Sequence, residues 1–321
     1  MQKLRKLITG LLLFSIATLS AISFTNDIHT AQASSVYIND KDFTLELGHY
    51  KTIRVKGTSK KPSFYSRNSK VATVSSSGRV TAKGYGTTTI GVKVAGQTLT
   101  CKVNVVQMNK KNLTLTPGET STLVLWGTSD KVTWTSSDEN IATVSDNGKV
   151  KAVATGNAVI TAALNGKKIT SKITVIEISE PSVVMEVGDW SGNIKTLKVF
   201  GTTQPVKWFS SNDAIATVSS NGRVIAKKHG TVTITANVDG KKLNAKVKIL
   251  DMNTRAITLK PGDTYSLKVL GTDSKVTWDS YKKSVATVTQ DGTVTAKEAG
   301  QATIVGLVDG RIIRTRVTVA E

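Results

Sequence analysis

An acidic and amide-rich stretch is the first feature of this sequence that could do chemistry, because carboxylate and amide oxygens are ligands for calcium. The stretch is TWTSSDENIATVSDNGKV, at residues 133–150. A calcium loop of the EF-hand type needs a glycine at its sixth position and a bidentate glutamate at its twelfth. The SDNG segment lacks that spacing, and its counterparts SSSG (75–78) and SSNG (219–222) contain no carboxylate. The sequence favours turn residues over a metal site, and we expect no metal or other cofactor.

Groups for nucleophilic catalysis are few. Beyond residue 33 the chain contains two histidines, His49 and His229, and one cysteine, Cys101. Neither histidine recurs in the next copy of the repeat described below, and Cys101 aligns with small residues at inward-facing positions, which indicates a buried, inert thiol. The acidic residues are numerous enough to include a carboxylate pair, but the copies differ by insertions of four residues at most, too few to build a substrate cleft. We therefore expect no catalytic residues and no enzyme activity.

The stretch at 133–150 is one of four copies of a repeat. The tripeptide ATV occurs once in each copy, preceded by Val71, Ile141, Ile215 and Val285. Its spacings are 70, 74 and 70 residues, and five glycines in each copy keep the same intervals. Self-similarity at a fixed period indicates an array of similar structural units. We predict units at residues 34–106, 107–176, 177–250 and 251–321.

Alternation of apolar and polar residues runs through every unit. In the second unit, Ile169, Ser171, Ile173 and Val175 fall on one face of a strand. Short alternating runs separated by glycine-containing turns every 8–12 residues are typical of an all-β sandwich or barrel. The dipeptides Asn-Gly at residues 165–166 and Asp-Gly at 239–240 and 309–310 suit two-residue hairpins, which need positive φ. We predict about seven strands in each unit.

An aromatic residue stands at the same place in each copy, eight residues before the alanine of ATV. These residues are Phe64, Trp134, Trp208 and Trp278. Large aromatic side chains dominate the energetics of small cores. We predict that each is the central core side chain of its sandwich, supported by the alanine and valine of ATV.

The pattern W-x-S-S-(D/N)-x-x-(I/V)-A-T-V-x-x-x-G-x-V-x-A resembles the bacterial immunoglobulin-like group 2 domain. The pattern occurs four times, once in each unit, and the four copies together cover the chain beyond the first 33 residues. It departs modestly at Phe64 and at residues 280–284. The resemblance implies all-β, Ig-like sandwiches strung head to tail as a surface stalk, as in intimin- and invasin-type adhesins. Some members of that family bind calcium, but no ligand set can be transferred to this sequence.

The first 33 residues have the form of a secretory signal peptide. A basic start, MQKLRK, precedes an apolar run at residues 7–24, and AQA at residues 31–33 has the small-x-small form of a cleavage site. The alternative is an N-terminal membrane anchor, for which the run is near the minimum length. Cleavage would leave no transmembrane segment. We predict a secreted or cell-envelope protein of a Gram-positive bacterium.

Basic charge is concentrated in the first unit, which has 12 Lys and Arg against 3 Asp and Glu. One interpretation is solubility, with lysines that prevent exposed strand edges from pairing. The other is attraction to a polyanion such as an anionic wall polymer, centred on Lys60, Lys61, Arg67 and Lys70. Specific nucleic-acid binding has little support, because no aromatic residues alternate with these cations.

Two further aromatic features are candidates for contacts. Trp126, Phe200 and Leu270 are large and apolar, whereas the equivalent residue of the first unit is Lys56. Because the first unit has no preceding unit, we predict that these three residues form contacts between repeats. Trp190, in the insertion of the third unit, is a candidate ligand contact, with local loop packing as the alternative.

These observations favour a non-enzymatic, exported protein that acts in adhesion or as a structural stalk at the cell surface. The joining segments contain no Gly/Ser-rich or Pro-rich spacer, which favours a semi-rigid rod. The alternative function is a binding module for anionic cell-wall polymers or polysaccharide, with the basic first unit as the attachment end. Expected partners are a cell-wall polymer, a polysaccharide or a host or matrix protein.

Overall fold

The computed structural model describes residues 35–188 and 191–321, which form four Ig-like β-sandwiches in tandem. This confirms the all-β class that the alternating hydrophobicity predicts. The segment predicted as a signal peptide and Trp190 lie outside the described residues. A 3₁₀ turn occupies Ser191–Asn193. Within the described ranges, no helix has the length and apolarity that crossing a membrane requires.

The first two units are built from strands β1 to β17. The strands of the first unit are β1 (Tyr37–Ile38), β2 (Asp42–Glu46), β3 (Tyr50–Thr52), β4 (Val55–Lys56), β5 (Ser63–Ser66), β6 (Ala72–Val74), β7 (Arg79–Ala82), β8 (Gly86–Val94) and β9 (Gln97–Met108). Those of the second are β10 (Asn112–Leu115), β11 (Thr120–Thr122), β12 (Leu125–Trp126), β13 (Thr133–Ser136), β14 (Ala142–Val144), β15 (Lys149–Ala152), β16 (Gly156–Leu164) and β17 (Lys167–Val175).

The last two units repeat this succession. The strands of the third unit are β18 (Glu177–Ile178), β19 (Ser182–Glu186), β20 (Ile194–Thr196), β21 (Val199–Phe200), β22 (Lys207–Ser210), β23 (Ala216–Val218), β24 (Arg223–Ala226), β25 (Gly230–Val238) and β26 (Lys241–Met252). Those of the fourth are β27 (Ala256–Leu259), β28 (Thr264–Ser266), β29 (Val269–Leu270), β30 (Thr277–Ser280), β31 (Ala286–Val288), β32 (Thr293–Ala296), β33 (Gly300–Val308) and β34 (Arg311–Val319).

Each unit has two facing sheets. In the second unit a four-stranded sheet has the order β10-β17-β16-β13, and a three-stranded sheet has the order β11-β15-β14. Strand β10 runs parallel to β17, and the other pairs are antiparallel. The same seven strands recur in every unit, as the sequence predicts, and a short additional strand in each unit pairs with the segment that leads into it.

A separate hydrophobic core lies between the two sheets of each unit. Along β17 the alternating residues Ile169, Ser171, Ile173 and Val175 are at most 2 % exposed, so the predicted face is the buried one. Because successive side chains of a strand point to opposite faces, the residues between them form an outer polar surface. The single cysteine cannot form an intramolecular disulfide, so each sandwich is held by packing and by the hydrogen bonds between its strands.

Two-residue hairpins join the last two strands of each unit. Asn165, Asp239 and Asp309 have φ near +49°, and each is followed by a glycine at positive φ, as predicted. The first unit has the same turn at Ala95, with φ of +50°, and Gly96. Alanine has no preference for this conformation, so the dipeptide Ala-Gly does not by itself predict a hairpin. Only the alignment with the other units points to it.

We expect Ala95→Asn to stabilise the first unit by about 1 kcal/mol, because the left-handed conformation is costly for alanine and tolerated by asparagine. Ala95 is exposed, so the substitution changes no packing. The measurement is the unfolding midpoint of the first unit in denaturant. Ala95→Val is the control, since a β-branched residue at positive φ should lower the midpoint. Equal midpoints for the asparagine and valine variants would contradict the expectation.

Candidate functional site

The acidic loop at residues 145–148 uses its side chains to hold its own backbone. The Ser145 hydroxyl donates a hydrogen bond to the side-chain oxygen of Asn147 and accepts one from the Lys149 N–H at 3.2 Å. In the preceding turn, the Asp138 carboxylate accepts from the Asn140 N–H at 3.0 Å. Within the described residues, no group of three or more His, Cys, Asp or Glu side chains is placed to hold a metal ion. These polar groups therefore act as turn caps.

One aromatic ring in each unit lies against the glycine of the hairpin that follows ATV. The rings are Phe64, Trp134, Trp208 and Trp278. Trp278 is 5 % exposed, whereas the other three are partly buried and pack against their cores. A side chain at Gly148 would meet the Trp134 ring at 3.0 Å, and the equivalent glycines lie equally close to their rings. The Trp278 ring is therefore buried within its core, and the other three rings are only partly buried against theirs.

The lone cysteine lies inside the first unit. Cys101 is fully buried, as are its counterparts Ser171, Ala245 and Thr315. Burial, with smaller contributions from Asp40 and other nearby charges, raises the pKa of the Cys101 thiol to about 12. A thiol reacts as its thiolate, so a raised pKa and burial both make it inert.

We expect Cys101 to resist maleimide at neutral pH in the folded protein and to react when the first unit unfolds. The matched control is Thr100→Cys in a Cys101→Ser background, because Thr100 is the exposed neighbour on the same strand. Mass spectrometry over time measures both reactions. We expect the Thr100→Cys thiol to be modified at least about a hundredfold faster, since protection scales with the free energy of opening. Similar rates would show that Cys101 is accessible in the folded state.

The units meet at three joints, which we number first to third from the N-terminus. The last residue of each predicted unit, Val106, Ile176 or Leu250, is fully buried in the core of the following unit. Strands β9 and β26 run without a break past the end of their own unit. Their last residues pair with a short strand of the next unit, β12 and β29 respectively. No flexible spacer separates the cores, so the orientation of neighbouring units is set by packing.

One glycine of each following unit lies directly on the backbone of the unit before it. An added side chain at Gly127, Gly201 or Gly271 would overlap the carbonyl oxygen of the last strand of the preceding unit. For Gly201 that oxygen belongs to Val175, and the Gly156 nitrogen is also within 3.1 Å of the added carbon. All three glycines have positive φ. They are glycine for two reasons, backbone conformation and close approach between units.

The residues predicted to contact the preceding unit immediately precede these glycines. The Trp126 ring lies 5.7 Å from the ring of Tyr85 in the first unit, at an interplanar angle of 36°. Trp126 and Phe200 remain 43 % and 49 % exposed, and Leu270 is half-buried. We propose that this position anchors each unit to the previous one, with Trp126 as the best-supported case because of its ring contact.

Each joint is crossed by an ion pair. The pairs are Lys111–Glu46 (3.0 Å), Lys241–Glu119 (2.6 Å) and Lys248–Asp309 (2.7 Å). The hydrogen bond from the lysine lowers the pKa of Glu119 at the second joint and of Asp309 at the third. Partly exposed pairs of this kind contribute about 0–1 kcal/mol each, so they add little to the stability of a joint.

The third joint is closed by a clamp that the other joints lack. The Lys248 ammonium donates to Thr272 Oγ1 at 2.8 Å as well as to Asp309, and the Thr272 hydroxyl donates to Asp309 at 3.0 Å. The residue equivalent to Lys248 is Thr174 at the second joint and Asn104 at the first. Grooves of about 630 Å³ and 310 Å³ lie at those two positions. Within the clamp, the second joint differs from the third only at Thr174, whereas at the first joint Asn165 also replaces the aspartate.

Gly192, in the described part of the insertion of the third unit, lies against a carboxyl group. Trp190 lies outside the described residues, so its role as a ligand contact stays a prediction. In the adjoining 3₁₀ turn, a side chain at Gly192 would overlap the side chain of Glu186. Glu186 is 8 % exposed. The counterpart of Glu186 in the first unit is Glu46, but those in the second and fourth units are Thr116 and Lys260. Sequence reasoning therefore did not identify this residue.

Glu186 faces arginines from the fourth unit. Burial raises the pKa of Glu186, and the positive charges of Arg314, Arg311 and Arg255 oppose that rise. Arg311 also crosses the third joint, where its Nε donates to the Val184 carbonyl oxygen at 2.9 Å. The third joint is therefore fastened by cations of the fourth unit as well as by the Lys248 clamp.

The four residues of the predicted polyanion site fall into two pairs. Lys60 and Lys61 precede the edge strand β5, and Arg67 and Lys70 follow it, all four exposed. The whole of strand β5 (Ser63–Ser66) therefore lies between the two pairs along the chain. That the four residues bind a polyanion together stays a prediction.

Comparison with known proteins places these features in a family. The family model described as bacterial Ig-like domain (group 2) matches residues 102–175, 172–249 and 246–311. A second model, described as intimin, immunoglobulin-like domain, matches residues 53–96. Together the two models match parts of all four units.

Two curated relatives are much longer than this chain. Ice-binding protein 1 of Shewanella frigidimarina is 26 % identical over 283 residues, covering 74 % of this chain and 32 % of the relative. An uncharacterised protein of Clostridium acetobutylicum is 33 % identical over 121 residues, covering 33 % of this chain and 12 % of the relative. This chain thus spans a third or less of the length of either protein.

Among solved structures, invasin, described as a bacterial integrin-binding protein, aligns with 81 % of this chain and 72 % of its own. The identity is 15 % and the TM-score is 0.26. Domains 4 and 5 of the S-layer protein SbsC align with 36 % of this chain and 76 % of theirs, at 23 % identity and a TM-score of 0.20. These values are too low to indicate a function.

Proposed function

Because the chain belongs to the bacterial Ig-like domain (group 2) family, we propose that it is a non-enzymatic protein exported to the bacterial cell surface, where it acts in adhesion or as a structural stalk. The construction of the joints is the observation that supports this proposal most directly. Each joint buries the last residue of one unit in the next core and places backbone on backbone at a glycine. Joints of this kind hold units at a fixed spacing, which a stalk requires.

The stalk proposal predicts an extended particle. If each unit spans about 35 Å, with strand residues rising about 3.3 Å each, four units in a rod reach about 140 Å. Small-angle scattering of the purified protein measures the maximum dimension, and a value below about 100 Å would contradict a rod. Export is tested separately, by mass spectrometry of protein recovered from the medium or the cell envelope of the producing bacterium. We expect its N-terminus at residue 34.

A second candidate function is binding of an anionic polymer by the first unit. The observation that favours it is the exposure of Lys60, Lys61, Arg67 and Lys70, which make no salt bridge within the described part of the chain. Because two pairs of cations flank the edge strand β5, the arrangement suits a linear polyanion lying along that strand. A wall teichoic acid or an anionic polysaccharide has that form.

Replacing these four residues by alanine tests the polyanion proposal in the full chain. The matched control replaces four exposed lysines of the second unit, Lys131, Lys149, Lys151 and Lys168, and removes the same charge. Elution from immobilised teichoic acid is measured against salt. We expect the first variant to elute at clearly lower salt than the control, since neutralised contacts set the salt dependence. Equal elution would show that only net charge matters.

A further inference from the structure

An open polar groove of about 630 Å³ lies at the second joint. Its floor is the outer face of the four-stranded sheet of the second unit, on β10, β17 and β16. Its walls come from the third unit, from the loop at residues 202–204 and the hairpin at residues 238–241. The groove therefore exists only because two units are held against each other.

The floor presents hydroxyl and amide groups in a row across the sheet. Thr114 is paired in register with Thr174, and Thr174 with Asn157. The Thr174 hydroxyl donates to Asn157 Oδ1 at 3.0 Å, which leaves the amide NH₂ of Asn157 directed to other acceptors. Side chains of this kind both donate and accept hydrogen bonds, as the hydroxyl groups of a sugar do.

The charges around the groove nearly balance. Asp239 lies on the wall and Lys172 on the floor. The ammonium of Lys241, at the end of the groove, is already bound to both carboxylate oxygens of Glu119, at 2.6 and 2.7 Å. A groove with one exposed carboxylate and one exposed ammonium gives no net attraction to a polyanion, unlike the first unit. It suits a ligand that is polar and uncharged.

At the third joint, a lysine side chain occupies the position that is open at the second joint. Thr202 and Asp239 are the counterparts of Thr272 and Asp309, which the Lys248 ammonium holds in the clamp. At the second joint Thr174 replaces that lysine. The hydroxyl of Thr202, which accepts a hydrogen bond from the Gln204 N–H, and the carboxylate of Asp239 therefore line an open groove instead of binding a lysine.

We propose that this groove binds an uncharged oligosaccharide of two or three residues. Its volume lies within the roughly 300–1,000 Å³ of small-molecule sites, and both units contribute polar side chains to its lining. Each hydrogen bond contributes about 0.5–1.5 kcal/mol net, so several are needed and the affinity is weak. This goes beyond the adhesion or stalk function, because a stalk needs rigid joints but no ligand.

Saturation-transfer NMR on the full chain tests the proposal, with chitotriose, maltotriose and xylotriose as probes. Thr174→Lys places at the second joint the lysine that the third joint has at this position. The new side chain is expected to fill the groove and bind Asp239. The matched control is Thr318→Lys, because Thr318 occupies the same position on the last unit and the substitution adds the same charge. Thermal unfolding of both variants verifies that they fold.

We expect saturation transfer to at least one of the three sugars, its loss by tenfold or more in Thr174→Lys, and its retention in Thr318→Lys. Transfer that persists in Thr174→Lys would place the sugar elsewhere on the protein, and the proposal would be wrong. Absence of transfer to all three sugars would also overturn it. Neither result affects the predicted length of the particle, so this proposal and the stalk function fail independently.

Discussion

Replacing Trp278 by alanine is expected to lower the stability of the fourth unit by about 3–5 kcal/mol, the usual cost of truncating a buried tryptophan. A unit of about 70 residues has roughly 4–10 kcal/mol in total, so most of its stability would be lost. Trp278 is 5 % exposed, and side chains added at Gly292 or Gly306 would meet its ring at 3.2 Å. Its backbone is held on both sides by the Gln290 amide.

Hydrogen exchange followed by mass spectrometry measures this effect unit by unit. We expect residues 251–321 to lose protection in Trp278→Ala while the first two units keep theirs, because each unit has its own core. Trp126→Ala is the matched control, since this tryptophan is 43 % exposed and is predicted to cost about 1 kcal/mol or less. Equal losses in both variants, or a loss spread over all four units, would contradict the expectation.

The features that the sequence predicted correctly are local ones. Strand faces follow from alternation over a few residues, and the turn at Asn165 follows from a dipeptide that tolerates positive φ. The hairpin at Ala95 shows the limit of this reasoning, because its own residues carry no turn signal. Comparison of the four copies compensates for that, since a backbone conformation recurs even where one side chain does not favour it.

The contacts between units could not be predicted in the same way. The repeated glycines are evident in the sequence. The close approach of Gly201 to the Val175 carbonyl oxygen is not, because it depends on how the two sandwiches are oriented. The Lys248–Asp309 pair joins residues 61 positions apart in different units, and sequence comparison shows only that lysine is unique to that copy. Likewise, Lys60 and Lys70 are near in sequence, yet an intervening strand separates them.

Substitution of Gly201 by alanine is expected to loosen the second joint. Gly201 has a φ of +82°. An alanine in this left-handed conformation lowers the stability of the folded state by about 1–2 kcal/mol. Its methyl group would also overlap the Val175 carbonyl oxygen, which can be relieved only by moving the third unit away from the second. Gly240→Ala is the matched control in the same unit. Its φ is +87°, but no atom lies within 4 Å of the added carbon.

Both variants should therefore destabilise the third unit, but only Gly201→Ala should change its position. Spin labels at Lys149→Cys and Lys228→Cys, which replace exposed residues on either side of the joint, report the distance between the units. The native Cys101 stays unlabelled because it is buried and its pKa is raised. We expect a broader distance distribution for Gly201→Ala than for Gly240→Ala. Equal widths would mean that backbone contact at the glycine does not hold the joint, and that the core residues shared between the units hold it alone.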